Sequence, residues 1–161
     1  MRYDVVIIGA GAAGFGCALT LGSANDKFDW AKDKKYLILD DNKSDLNVGK
    51  YFNVAGVDSG INGVDLLLKM KKQLEIYKDV ELKDEKATKI ENLGEYFKVT
   101  TENSTYEASI VVLATGLHKF DIECEGVNVK DNIFVPKPNN IYLENSNNLI
   151  SKNLYVAGLA S

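Results

Sequence analysis

"VVIIGAGAAGFGCALTLG", residues 5–22, runs for 18 residues without a charge and holds five glycines. A run of that length is long enough to be considered as a membrane span. The glycines argue against it, because they are not scattered as a continuous helix would prefer. A secretory leader fits no better: Asp4 stands where a basic leader would be, and no clear cleavage site follows. The run reads instead as a strand over residues 3–8, a glycine turn at 9–14, and a buried helix of small residues.

Gly9-x-Gly11-x-x-Gly14, with Ala10, Ala12 and Ala13 between the glycines, therefore follows a strand and opens a helix. That context gives the spacing a physical meaning. Gly9 permits the tight turn, Gly11 lets backbone approach a pyrophosphate, and Gly14 lets the helix lie close to the sheet. The helix N-terminus then offers unpaired N–H groups and a partial positive charge to phosphates. A second apolar run, "KYLIL" at 35–39, ends in Asp40 and Asp41. The three pieces form a βαβ unit, which implies a parallel sheet. A carboxylate at the end of the second strand accepts hydrogen bonds from ribose hydroxyls and repels a 2′-phosphate. Asp40 is the preferred candidate and Asp41 the alternative.

Between helix and second strand lies "SANDKFDWAKDKK" (23–35), charged, long, and carrying the only tryptophan. It reads as a helix extension or surface excursion packed by Phe28 and Trp30, or else as a partner-binding loop. Net charge is −4, with no basic cluster beyond Lys69, Lys71 and Lys72, which excludes a nucleic-acid or anionic-membrane partner. One histidine and two distant cysteines leave little from which to build a zinc site, a triad or a disulfide framework. Cys17 is expected to be buried and inert, and Cys124 to be held protonated by the carboxylates around it.

Farther along, a loop rich in glycine and asparagine (47–63) leads to a helix over 64–78. Asn62 is its N-cap, and Leu67, Met70, Leu74 and Tyr77 form its core stripe. Three alternating runs at 86–91, 96–101 and 105–108 read as an antiparallel meander, followed by a separate buried strand "SIVVLA" (109–114). Short strands are expected at 132–135 and 141–143, and a last one at 154–157. The fold class is α/β: a Rossmann-like dinucleotide-binding domain spanning residues 1–161, with a central parallel sheet and a three-stranded antiparallel meander.

A dinucleotide βαβ, a meander and then "VVLATG" resembles the FAD-binding domain of two-dinucleotide-binding-domain flavoproteins, and within them thioredoxin reductases. "FNVAGVDSGINGVDLLLKMKKQLEIYKDVEL" is similar to that family's glycine turn and amphipathic helix, with Ala55 in place of a proline. The resemblance implies FAD, its pyrophosphate on Gly9, Gly11 and Gly14 and its ribose on Asp40. It also implies Asn53 toward the flavin, Lys86 and Ala87 at the adenine, and Ala114, Thr115 and Gly116 closing over the cofactor. Gly158 matches the glycine before the ribityl-binding aspartate, which is Leu159 here.

Other departures concern chemistry. Only about 37 residues separate Gly116 from Leu154, too few for the inserted NAD(P)H-binding domain of such reductases. The redox CxxC and the "GGQ" turn after the second strand are absent. Two functions follow as expectations: an FAD-dependent oxidoreductase passing electrons to an unknown acceptor, or a non-catalytic FAD-binding module or subunit of a split reductase. A plain NAD module would have no need of "VVLATG". Partners would be FAD and a separate reductase or NAD(P)H-binding subunit, with a homo-oligomer left open. No membrane partner is expected, and the cytoplasm is the default location.

Overall fold

The computed structural model describes residues 2–161. Strand β1 (Arg2–Ile8) leads to helix α1 (Ala12–Asn25), then β2 (Tyr36–Asp40). A small antiparallel pair, β3 (Lys50–Tyr51) and β4 (Ile61–Asn62), precedes helix α2 (Gly63–Leu74). Strands β5 (Val80–Asp84), β6 (Ala87–Asn92), β7 (Phe97–Thr101) and β8 (Thr105–Leu113) follow. The remainder holds the short strands β9 (Glu123–Cys124), β10 (Val129–Asp131), β11 (Ile141–Leu143), β12 (Leu149–Ser151) and β13 (Leu154–Val156).

The nine-stranded sheet orders its main path β5-β2-β1-β8-β7-β6-β9, with β13 beside β8. Strands β5, β2, β1, β8 and β13 run parallel, with Ile7 facing Ile38 on one side and Val112 on the other. A parallel strand buried on both faces wants apolar residues at every position, which is why "VVII" and "YLIL" show no alternation. Val5, Ile7, Tyr36 and Ile38 point into the core under Phe15, Ala18 and Leu74 of the helices. Val6, Ile8, Leu37 and Leu39 point the other way, beneath Val99, Tyr106 and Leu143. The 18-residue uncharged run is thus β1, turn and α1, and no helix among the described residues is long and apolar enough to cross a membrane.

Several boundaries differ from expectation. The third meander strand and "SIVVLA" are one strand, β8, nine residues long. Its far edge changes partner midway: Thr105–Ala108 pairs antiparallel with β7, and Val111–Leu113 parallel with β13. Residues 132–135 form no strand, because the Asn132 Oδ1 accepts from the N–H groups of Phe134 (3.0 Å) and Val135 (2.9 Å) and bends the chain. The strand lies just before it, as β10 against β11. Strand β5 goes unannounced in the sequence reading; it is a polar edge strand with no fully buried residue. Helix α2 ends at Leu74 rather than at residue 78, while Asn62 caps it as expected, its Oδ1 2.9 Å from the Asp65 N–H.

The excursion after α1 is a surface feature. Phe28 and Trp30 are 52% and 65% exposed and stack on each other at 5.8 Å, so they do not pack it onto the core. Ala31 does that instead, fully buried in a single 3₁₀ turn.

Candidate functional site

A cleft of about 430 Å³ opens at the carboxyl ends of β1, β2, β8 and β13. In open parallel sheets this is where ligands bind, because loops from neighbouring strands diverge there. The turn after β1 forms its floor. Gly9 donates to the Leu39 carbonyl (2.8 Å), and Ala10 donates to Asp40 Oδ1 (2.7 Å). The second Asp40 oxygen accepts from the Asn42 N–H at 3.1 Å, so this carboxylate ties the glycine turn to the segment beyond β2.

The glycines of this turn are there for space. A methyl group on Gly9, whose φ is +103°, would lie 2.4 Å from the Ala114 carbonyl oxygen. One on Gly14 would lie 1.8 Å from the Gly9 carbonyl oxygen. The helix, the turn and the end of β8 are therefore in backbone contact, and the turn is held open toward the cleft. Gly11 is the N-cap of α1 but offers no side chain to its first N–H groups, and no acid stands in the first turn. Those donors are free for an anion.

Of the residues picked out in the sequence, Gly9, Ala10, Gly11, Ala12, Ala13, Asp40, Asp41, Lys86, Ala87, Ala114, Thr115, Gly116, Gly158 and Leu159 all line this cleft. Gly14 lies beneath it. Asn53 does not reach it: its exposed loop folds back on itself, with Gly60 donating to Tyr51 and Gly63 to Gly49, each at 2.9 Å. The cleft also takes residues the sequence reading passed over. Ser44 and Asp45 follow β2, Glu85 precedes β6, and His118, Lys119 and Asp121 follow β8. Their signal was positional, since each sits within a few residues of a strand's carboxyl end or of the "ATG" turn.

Charge on the rim is organised in pairs. Asp121 accepts from Lys86 Nζ (2.7 Å) and Lys119 Nζ (3.0 Å), and these two bonds pull its carboxyl down to about 2. Glu85 is lowered by hydrogen bonds from Thr101 and Tyr106. Neither cysteine belongs to the site. Burial raises the Cys17 thiol, and burial, rather than the neighbouring carboxylates, pushes Cys124 up to about 11. Both are thiols at neutral pH, and their sulfurs are poor nucleophiles in that form.

These residues fit a dinucleotide such as FAD. The phosphates would meet the uncapped α1 N-terminus at a turn that Gly9 and Gly14 keep tight, and the adenosine would lie toward Asp40, Asp41, Lys86 and Ala87. The Thr115 Oγ1 is buried and has no partner among the described residues, although it lies in the cleft wall. A buried hydroxyl without a partner is costly, and a ligand atom would satisfy it.

The family description "Pyridine nucleotide-disulphide oxidoreductase" matches residues 3–158. A thioredoxin reductase of Treponema pallidum is 32% identical over 114 residues, covering 71% of this chain and 35% of the relative. A thioredoxin reductase structure from Gloeobacter violaceus superposes with a TM-score of 0.64 at 28% identity, over 74% of this chain and 38% of that one. A ferredoxin-flavin thioredoxin reductase from Clostridium acetobutylicum gives 0.57 at 30% identity, over 74% and 39%. The match thus takes in well under half the length of each relative.

Proposed function

The chain belongs to the pyridine nucleotide-disulphide oxidoreductase family, whose cofactor is FAD, and we propose that residues 1–161 act as one FAD-holding unit for electron transfer. The observation that carries this reading is the cleft itself: it opens over a glycine turn in which a Cβ on Gly9 or Gly14 would clash, and the buried Thr115 hydroxyl in its lining has no partner among the described residues. Bound there, FAD would supply the two-electron chemistry, and the protein would supply position and electrostatics.

Each residue has a part in this reading. Gly9, Gly11 and the N–H groups of Ala12 and Ala13 receive the diphosphate. Asp40 fixes the glycine turn through Ala10 and presents the remaining lone pairs to the ribose, with Asp41 beside it. Thr115 donates from the wall, and Gly158 (φ +90°) brings backbone toward the middle of the cofactor. Among the described residues no cysteine lines the cleft, and this reading takes the electron acceptor to be a separate group. A protein electron donor is supported by the likeness to an enzyme named for ferredoxin as well as for thioredoxin.

A second reading, a non-catalytic FAD module or one subunit of a split reductase, is favoured by Leu159. An apolar side chain, 62% exposed, stands there where the resemblance has a carboxylate for the ribityl chain. The test is spectroscopic. Protein loaded with FAD should be yellow and bleach with dithionite, but only slowly with NADH or NADPH alone. Rapid direct bleaching by either nucleotide rejects both the separate-donor reading and the split-subunit reading.

A further inference from the structure

We infer that Asp121 is a specificity residue of the cleft: it engages Lys86 and Lys119, withholds their charge from the adenosine end, and so helps to exclude a nucleotide that carries a phosphate on its ribose. The inference rests on the reading that the ADP half of FAD lies in the cleft with its ribose toward Asp40 and Asp41.

The fold fixes where Asp121 stands. It belongs to the segment that leaves β8 and continues into β9, and β9 pairs in parallel with β6, Glu123 beside Lys89. Lys86 directly precedes β6, so the two residues meet at the same end of neighbouring strands. Packing holds each one in place. Ile122 is buried and Phe120 packs against the core, on either side of Asp121. The Lys86 carbonyl accepts from the Glu102 N–H at 3.3 Å. Both side chains line the cleft, Lys86 31% and Asp121 33% exposed.

The lysines of this lining are engaged by its own carboxylates. Five carboxylates and three lysines stand around the cleft. Lys86 Nζ lies 2.7 Å from Asp121 Oδ2 and Lys119 Nζ 3.0 Å from the same oxygen, while Lys43 faces Asp41 at 4.0 Å. Among the described residues, no lysine of the lining is left without a carboxylate to meet an added phosphate. Lys86 carries most of the effect. Its ammonium is held above the usual lysine range by the Asp121 hydrogen bond first, then by that carboxylate's charge and, more weakly, by Asp41. It therefore feels both its partner and the acid just past β2. Lys119 is 76% exposed, so water screens its charge more strongly. An asparagine at position 121 keeps the shape and loses the charge. Lys86 is then left with Asp41, and the repulsion of a ribose phosphate falls.

The test is displacement of bound FAD by ADP and by 2′-phospho-ADP, which differ only in the added phosphate. The wild type should bind 2′-phospho-ADP more weakly than ADP. In Asp121→Asn, and equally in Asp121→Ser, that gap should narrow about fivefold, the size expected for a partly exposed ion pair. Asp121→Glu, which keeps the carboxylate, should retain the wild-type gap. Adding Lys86→Met to Asp121→Asn should remove most of the narrowing, because the freed cation is gone. Thermal melts of each variant check that it is folded. A merely structural role would weaken both nucleotides alike. An unchanged ratio in either folded single variant, or full narrowing in the double variant, overturns the inference while leaving FAD binding intact. A folded wild type that binds no FAD overturns the cofactor reading and this inference with it.

Discussion

Gly9 and Gly14 leave no room for a methyl group in the glycine turn, whereas Leu159, which lines the same cleft, stands 62% exposed. The first wall is fixed by contacts between backbones: β1 to α1, and Gly9 to Ala114. The second is held by β8, by β11 through the Leu143 N–H to the Ala160 carbonyl (2.8 Å), and by Asn132, while the Leu159 side chain itself stays exposed. Ala157 donates to the Leu113 carbonyl at 2.9 Å, and the Leu159 carbonyl is held by the Asn132 side chain at 3.1 Å. Backbone crowding specifies a shape that only a few residues satisfy, so the wall that holds phosphates is over-determined. An exposed side chain specifies little, so the wall at Leu159 is free to vary.

Breaking the crowded wall should have the largest effect. Gly14→Val places its Cβ against the Gly9 carbonyl and cannot be relieved by a rotamer change. It should cost on the order of 100-fold in FAD affinity and about 1–3 kcal/mol of stability, read by titration calorimetry and thermal melts. Near-normal affinity would mean that the turn is not the binding element.

Thr115→Val probes the same wall more finely. Removing a buried hydroxyl that lacks a partner should stabilise the ligand-free protein by about 1 kcal/mol. The same change should weaken FAD about fivefold, by the loss of one hydrogen bond. Opposite signs in the two measurements are the signature; a fall in both would make Thr115 a structural residue. The smallest change is expected at the open wall. Leu159→Asp should leave the melting behaviour within about 0.5 kcal/mol of the wild type. ADP affinity should stay unchanged, while the reduction rate of bound flavin by a donor shifts. A large loss of ADP affinity would remove the contrast between the walls.

The glycine fingerprint, Asp40 and the "ATG" turn were legible in the sequence because each is a local pattern with a local cause. A tight turn needs glycine, and a strand end offers an acid. The residues that complete the cleft were not legible that way. Asp45 and His118 are 73 positions apart and meet only because β2 and β8 flank β1. Strand β8 was divided at the point where its partner changes, since a change of neighbour across one edge leaves no mark in the strand's own residues. Asn53, placed toward the flavin by likeness, lies in the loop between β3 and β4, outside the residues that line the cleft. Aromatic residues misled for a different reason: Phe28 and Trp30 satisfy each other at the surface, so their presence did not signal a core.

The central claim is that the glycine turn of this chain holds FAD by its ADP half. Titrating FAD into the purified, flavin-free wild type, with ADP and then NADP as competitors, tests it most directly. The account predicts saturable binding at one site per chain, competition by ADP, and little competition by NADP, whose 2′-phosphate would face Asp40 and Asp41. Absence of FAD binding, or displacement by NADP as readily as by ADP, would contradict it.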